Sequence, residues 1–306
     1  MKNKIWFLGS SNVDIIYRVK EIPLVDYTIQ AKSCVIATGG KGANQAIAAS
    51  KYGANVNFIG AVGDDSNGKI LLKVLKTNGI NIENVTIVKN VNSGNAVILV
   101  DDEGSNCIIV YPGANHNVPV DIYPNFMEGD MLVAQLEVNM SAVEYYFKLA
   151  KKKMYTILNP SPFIFLSQEL LKKTDIIIVN EVEAYKLGGV VVRGPETAKV
   201  CCKKIIKLGP SIVIITLGKM GVVVATNENA FHVPGYDVDV VDTQGAGDAF
   251  LGTFVAKLAQ GATIEDATLF ANMVASLSVT KMGSTQVSLP EPEEVVGRNS
   301  CRCIKL

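Results

Sequence analysis

Asp175-Ile176-Ile177-Ile178-Val179, then an amphipathic segment at Pro195–Leu208, then Ile212-Val213-Ile214-Ile215-Thr216-Leu217: this stretch decides the fold. Its two apolar runs have the length of strands and show no alternation. Such strands are buried on both faces, as in a parallel sheet covered by helices. Outward from this stretch, Ile5–Gly9, Val56–Gly60, Met131–Gln135 and Thr156–Leu158 are runs of the same kind. Helical patterns stand between them at Gly42–Tyr52, Gly68–Asn78 and Ser141–Lys152. Two longer ones follow, at about Gly247–Gln260 and Thr263–Met282. Ser141 and Glu144 have the spacing of a capping box, which predicts a helix start there. The alternation predicts an α/β chain, a three-layer, doubly wound, mostly parallel sheet forming a single domain over residues 1–306.

Two stretches break the rhythm. Val13 to Cys34 and Gly94 to Tyr111 read as strand–turn–strand, the second turning at Asp101-Asp102-Glu103-Gly104. Either they pair into a small β lid, with strands from about 13–38 and 94–112, or they are edge strands of the main sheet. The tail from Val295 to Leu306 has no periodicity.

The 306 residues carry 29 Lys+Arg against 29 Asp+Glu, 48% hydrophobic and 19% charged residues. That composition excludes disorder as the main state. A net charge of zero argues against a nucleic-acid partner, which goes with a basic excess on one face. The apolar runs fall far short of the ~20 residues of a membrane-spanning helix. Ile5–Leu8, behind Lys2 and Lys4, is too short for a secretory leader, so a cytoplasmic chain is expected. Cys34, Cys107, Cys201, Cys202, Cys301 and Cys303 include no CxxC pair, and His116 and His232 are the only histidines. Reduced thiols are therefore expected rather than zinc or disulfides.

The most informative motif is Asp242-Thr243-Gln244-Gly245-Ala246-Gly247-Asp248, where a strand runs through small residues into a helix. Backbone N–H groups at such a helix start receive anionic oxygen, and Gly245, Ala246 and Gly247 leave them unobstructed. Asp248 in the same turn can take a proton from a hydroxyl, so base and anion hole stand together, as phosphoryl transfer to an alcohol requires. With an ordinary pKa of ~3.9, Asp248 would be a weak base that mainly orients the hydroxyl. The alternative is an acid that merely complements the helix dipole. The kinase reading requires Asp248 open at the mouth of a cleft that holds both reactants; a buried carboxyl group, or one far from such a cleft, contradicts it.

Gly39-Gly40-Lys41-Gly42-Ala43-Asn44-Gln45 also opens a helix. It is no dinucleotide fingerprint, because Gln45 stands where the last glycine belongs. Gly39 and Gly40 let backbone approach a polyol, and Lys41 and Asn44 offer hydrogen bonds; a glycine turn with a surface lysine is the alternative. Gly63–Ile70 nearly matches a phosphate loop, but Ile70 cannot ligate magnesium and Asp64 and Asp65 would repel phosphate, so it reads as a turn and helix start. Asn12 and Asp14 follow the first strand, where open sheets place ligands, and either hold vicinal hydroxyls or form an Asx turn. Asn180-Glu181-Val182-Glu183 either meets metal-bridged phosphates or caps the next helix. Glu137, after the Met131–Leu136 run, reads in the same way, with a surface glutamate as the alternative.

Taken together, these blocks resemble the ribokinase-like (PfkB) sugar kinases, in order and spacing, over the whole chain. Phe58–Asp65, Asn159-Pro160-Ser161-Pro162, Thr216-Leu217-Gly218 and Val279-Thr280 extend the match. The G-G-K-G-A-N-Q wording favours the ribose branch over fructokinases and adenosine kinases. The resemblance implies magnesium-dependent transfer of the ATP γ-phosphate to the 5-hydroxyl of D-ribose, with Asp248 as base and Gly245–Gly247 as anion hole. It places Asn12, Asp14, Gly39, Gly40, Lys41, Asn44 and Glu137 on the sugar. It places Asn180 and Glu183 at the phosphate and magnesium, and Thr216, Leu217, Gly218, Gly221 and Asn272 beside the nucleotide. It also implies a potassium ion held by Asp242 and the carbonyls of Gln244, Ser278, Lys281 and Gly283, with Ser288 as a further ligand. The lid strands would pair two copies into a homodimer. The Gly283–Ser288 loop is one residue longer than the family's. A deoxyribose or nucleoside kinase, and a sugar-binding protein without catalysis, are the competing readings.

Overall fold

The computed structural model describes residues 3–151, 153–281, 283, 289–296 and 303–306. In chain order the strands are β1 (Lys4–Leu8), β2 (Asn12–Arg18), β3 (Ser33–Gly39), β4 (Asn55–Gly63), β5 (Asn81–Val88), β6 (Gly94–Val100) and β7 (Asn106–Tyr111). They continue as β8 (Met131–Ala134), β9 (Tyr155–Leu158), β10 (Ile176–Asn180), β11 (Ile212–Thr216), β12 (Val222–Ala225), β13 (Ala230–Val233) and β14 (Ile304–Lys305). The helices are α1 (Lys41–Lys51), α2 (Ser66–Thr77), α3 (Met140–Ala150), α4 (Gln168–Lys173), α5 (Glu181–Gly188), α6 (Pro195–Ile206), α7 (Ala246–Ala259), α8 (Ile264–Ser278) and α9 (Pro292–Val296).

The main sheet has ten strands in the order β14-β13-β12-β11-β10-β9-β8-β1-β4-β5. Pairing is parallel from β11 to β5 and antiparallel from β11 outward to β14. Successive side chains of a strand face opposite sides, and the core divides accordingly. Ile5, Phe7, Val133 and Ile178 pack with α1, α7 and α8. Trp6, Leu8, Leu132 and Ile177 pack with α3, α4, α5 and α6. The strand order reverses between β1 and β8, the switch point where open α/β sheets bind ligands at their carboxyl edge.

The two rhythm-breaking stretches are not edge strands of this sheet. They form a separate four-stranded sheet in the order β3-β2-β6-β7. The turn between β6 and β7 is closed by the Asp101 carboxylate, which accepts from the N–H groups of Glu103 and Ser105, with Gly104 at φ 85°. The near phosphate loop is a helix start, in which Asp65 caps α2 by accepting from Gly68 N at 2.7 Å.

In the tail, for which no element is predicted from the sequence, Ile304 and Lys305 pair with β13. Two readings need correction. The cap of α3 is Asn139, not Ser141, and Glu144 accepts from Ser167 instead of closing a capping box. The last long helix stops at Ser278, short of the expected Met282, which lies outside the described residues.

Close backbone contacts set the two helices that reach the switch point. At Gly42 of α1 a Cβ would stand 2.6 Å from Gly9 Cα, so α1 begins against the end of β1. Gly252 of α7 meets α1 in the same way, where a Cβ would fall 2.3 Å from the Gln45 carbonyl oxygen and 2.6 Å from Ala48 Cβ. In an ordinary helix Gly→Ala stabilises by up to ~1 kcal/mol. Here the methyl group has to push backbone, so Gly252→Ala lowers the unfolding free energy by about 1–3 kcal/mol. Urea denaturation measures it, and a variant as stable as the parent or more so would contradict this packing.

Candidate active site

The carboxyl ends of β1, β8, β9, β10 and β11 deliver Asn12, Glu137, Asn159, Asn180 and Thr216 to one edge of the sheet. A cavity of about 860 Å³ lies along that edge. Lys41, Asn159, Asn180, Glu183, Thr216, Gly218, Gly221, Gly245, Ala246, Gly247, Asp248 and Asn272 line it.

Two helices open into this region from positive-φ glycines. Gly40 precedes α1 at φ 88°, and Gly245 precedes α7 at φ 76°. The first N–H groups of any helix lack partners within it. At α1 those of Lys41, Gly42 and Ala43 are taken by Glu137 and Ser10, and at α7 that of Ala246 donates to Thr243 O at 3.4 Å. A Cβ at Gly247 would meet nothing within 4 Å, so this turn is open.

Asp248 sits in that first turn but is buried, only 6% exposed, not open as the sequence reading requires. It nevertheless forms part of the cavity wall, because a carboxylate at the floor of a cleft is shielded from bulk water while still facing the space a substrate fills. Its Oδ1 accepts from Gln45 Nε2 at 2.9 Å and its Oδ2 from Asn44 Nδ2 at 3.2 Å. Burial raises its pKa above the ordinary carboxylate value; Lys41, Gln45 and Asn44 oppose the rise, and Glu137 adds to it. The expectation of an unperturbed, weak base is therefore corrected: the site makes Asp248 a stronger base than a solvated aspartate.

Lys41 is the counter-charge. Burial works to lower its pKa, but Asp248, Glu137 and Glu183 outweigh that and raise it, so the ammonium stays charged. The Lys41 backbone N–H donates to Glu137 Oε2 at 3.0 Å, and Ser10 Oγ donates to the same oxygen. Asn12 Oδ1 accepts from Asn115 Nδ2 at 2.7 Å. Asp14 stands against Gly39, where a Cβ would fall 2.1 Å from its Oδ2. Burial first, then Glu137, pushes Asp14 up to about 7.

Asn180 and Glu183 do cap α5. Asn180 Oδ1 accepts from Glu183 N at 2.9 Å, and Glu183 Oε2 accepts from Asn180 N at 3.0 Å. Both also line the cavity, so their two readings are compatible. Gly221 at φ 90° allows a close turn, in which a Cβ would fall 2.0 Å from the Val233 carbonyl oxygen. Asn272 Nδ2 donates to Pro234 O at 2.8 Å. The Leu217 side chain, expected beside the nucleotide, is buried in the core under the opposite helices.

The loop pair expected around potassium is brought together. Asp242 accepts from Gln244 N at 2.9 Å and from Gly283 N at 3.2 Å, and Val279 O accepts from the N–H groups of Val241 and Asp242. Ser278 O accepts from Lys281 N, whose ammonium reaches Glu294. Ser288 lies outside the described residues. Sequence reasoning gave no role to Gln45, Asn159, Asn115, Tyr236 or Val240. The first three act through partners far away in the chain, and the last two line the cavity from a segment without periodicity.

The family model of the pfkB carbohydrate kinases matches residues 2–292. The chain belongs to that family. It is 38% identical to a ribokinase of Staphylococcus aureus (strain COL), over 96% of this chain and 99% of that protein. It is 34% identical to a deoxyribokinase of Salmonella typhi, over 94% of this chain and 95% of that one. The structure of an Arabidopsis thaliana ribokinase complexed with ribose and ATP superposes with a TM-score of 0.87 at 30% identity, covering 97% of this chain and 98% of that one. A pfkB carbohydrate kinase has the three-layer α/β fold seen here, with the mostly parallel sheet expected from the alternation. Among the described residues, no helix is long and apolar enough to cross a membrane.

The raised Asp14 has a consequence for stability. The folded chain holds a proton on Asp14 up to about pH 7, whereas the unfolded chain releases it near 3.8. The contribution is thus full below 3.8 and is lost as pH rises through 7. Asp14→Asn, which cannot ionise, is expected to be more stable than the parent at pH 8, with the difference narrowing at pH 5. Thermal unfolding at both values reads this, and an equal difference at the two would contradict a raised Asp14.

Proposed function

We infer that this chain is a ribokinase, transferring the γ-phosphoryl group of ATP to the 5-hydroxyl of D-ribose. The observation that carries the reading is the pairing, in one cavity, of the buried Asp248 carboxylate with the open helix start at Gly245–Gly247. Asn12, Asp14, Asn44, Glu137, Lys41 and the backbone at Gly39 and Gly40 hold the sugar. Their mixture of acceptors and donors suits a polyol. The O5–phosphorus bond forms as the bond to the β–γ bridging oxygen breaks, ADP leaves with that electron pair, and Asp248 takes the O5 proton. In this reading the backbone turn at Gly245–Gly247 meets the charge on the transferring group, where preorganised donors stabilise it most.

ATP arrives as its magnesium complex, with Asn180 and Glu183 near the phosphates. Thr216, Gly218, Gly221, Asn272 and the backbone at Leu217 border the nucleotide. The oxygen donors at the two loops joined by Asp242 suit a hard monovalent cation. In this reading Asp242 and the carbonyls of Gln244, Ser278, Lys281 and Gly283 would hold potassium. When bound, such an ion supplies positive field beside the α7 start. ATP as co-substrate goes with a cytoplasmic location.

The second sheet serves as a lid and as the contact between two copies. Val35, Ile36, Ile108, Ile109 and Val110 are exposed on it, an apolar surface that a second copy would cover. Light scattering is expected to give twice 32.8 kDa, and Ile109→Asp half of that. A parent of 32.8 kDa would contradict the pairing.

Asp248→Asn is expected to lower kcat for ribose by a thousandfold or more, on the order of what a general base supplies, while ribose still binds. ADP formation across ribose, deoxyribose, fructose, adenosine and pseudouridine tests the substrate, with ribose expected to be the best by kcat/KM. Near-parent turnover by Asp248→Asn removes the base. A preference for deoxyribose makes the chain a deoxyribokinase, and no ADP with any sugar makes it a binding protein.

A further inference from the structure

We propose that Gln45 is the positioning residue that orients the Asp248 carboxylate, itself held by the buried Gln135 and the half-buried Asn159 in one chain of amides. The proposal rests on the reading of Asp248 as the base. Gln45 is fully buried on α1 and is not part of the cavity lining, so it acts through Asp248 and not on a substrate.

The polarity of the chain follows from its ends. An ionised carboxylate only accepts, so the Gln45 nitrogen must face Asp248, and Nε2 donates to Oδ1 at 2.9 Å. Gln45 Oε1 then faces away and accepts from Gln135 Nε2. At the other branch, Asn159 donates through Nδ2 to the Ile178 carbonyl at 3.0 Å, which turns its Oδ1 toward Gln45 Nε2 at 3.3 Å. Each amide therefore has one orientation that satisfies its neighbours. Gln135 Oε1 is left without a partner among the described residues, and it lies where a Cβ on residue 9 would be 2.3 Å away, so Gly9 makes room for it. A buried amide left half satisfied in this way carries a cost that a purely structural core would avoid.

Asn44 differs from Gln45. It donates to Oδ2 at the longer 3.2 Å, and its Oδ1 has no partner among the described residues, as a group kept for a sugar would. Gln45 has both ends engaged and so fixes the carboxylate plane whether or not a sugar is present. The charged groups facing Asp248 are Lys41 on α1 and Glu137 after β8. Asp14 on β2 couples to Glu137, and Glu183 of α5 couples to Lys41. Gln45 is the neutral donor among them.

The test compares Gln45→Leu, Gln45→Glu and Asp248→Asn with the parent, reading kcat, both KM values and thermal stability from pH 5.5 to 9. Gln45→Leu keeps the volume but removes the donor. It is expected to lower kcat by about 10- to 100-fold, the worth of one hydrogen bond to a charged group, with the KM for ribose and for ATP within about threefold. The acid limb of its kcat profile moves to higher pH, because a carboxylate that loses a donor is harder to ionise. Gln45→Glu can still donate when its new carboxyl group is protonated, so its activity relative to the parent is expected to fall as pH rises. A folded Gln45→Leu with the parent's kcat and acid limb overturns the proposal. If that variant does not fold, a pH-independent ratio of Gln45→Glu to parent overturns it instead. An Asp248→Asn that keeps its turnover overturns the reading of the base, independently of Gln45.

Discussion

The contact between α1 and α7 at Gly252 is the constraint from which the site follows. Without a side chain there, the backbones of the two helices approach until the Gln45 carbonyl oxygen and Ala48 Cβ crowd the glycine. Gly252 is one turn beyond Asp248 on α7, and Asn44 and Gln45 lie on α1, so the same crossing that closes the core brings both amides to the carboxylate. A second close contact, between Gly42 and Gly9, seats α1 against the end of β1 and hence at the switch point. Small residues at these places give up packing area so that polar side chains can meet where the sheet opens.

What meets there is costly to bury. Asp248, Glu137 and Glu183 act on the Lys41 ammonium, and Glu137 acts in turn on Asp14. Desolvation raises Asp14 and Asp248, and Glu137 adds to both. A core chosen for stability alone would not assemble such a group. For phosphoryl transfer it is useful, since a raised Asp248 accepts a proton more readily and a charged Lys41 stands close to it.

Much of this was legible in the sequence where local pattern and tertiary outcome agree. The runs Ile5–Gly9, Met131–Gln135 and Ile212–Leu217 became strands within one or two residues at their ends, because continuous apolar runs have few other places to go. The Gly245–Asp248 turn was legible because glycine, small residue and acid report on one helix start. The short hairpin of β12 and β13 was not, since four-residue strands carry too little pattern, and β14 is shorter still. Ser141 misled because its spacing to Glu144 mimics a capping box, whereas Asn139 starts α3 and Glu144 turns to Ser167. The burial of Asp248 and the role of Gln45 were out of reach for a different reason. The two are 203 residues apart, and no local spacing reports a hydrogen bond between them.

The central claim is that a sugar hydroxyl lies between the Asp248 carboxylate and the terminal phosphorus of ATP. The most direct measurement is a crystal structure of this chain with ribose and a non-hydrolysable ATP analogue. The account predicts O5 within hydrogen-bond distance of an Asp248 oxygen and in line with the bond from γ-phosphorus to the bridging atom, with the phosphate oxygens at the α7 start. A sugar bound elsewhere, or a different hydroxyl facing that phosphorus, would contradict it.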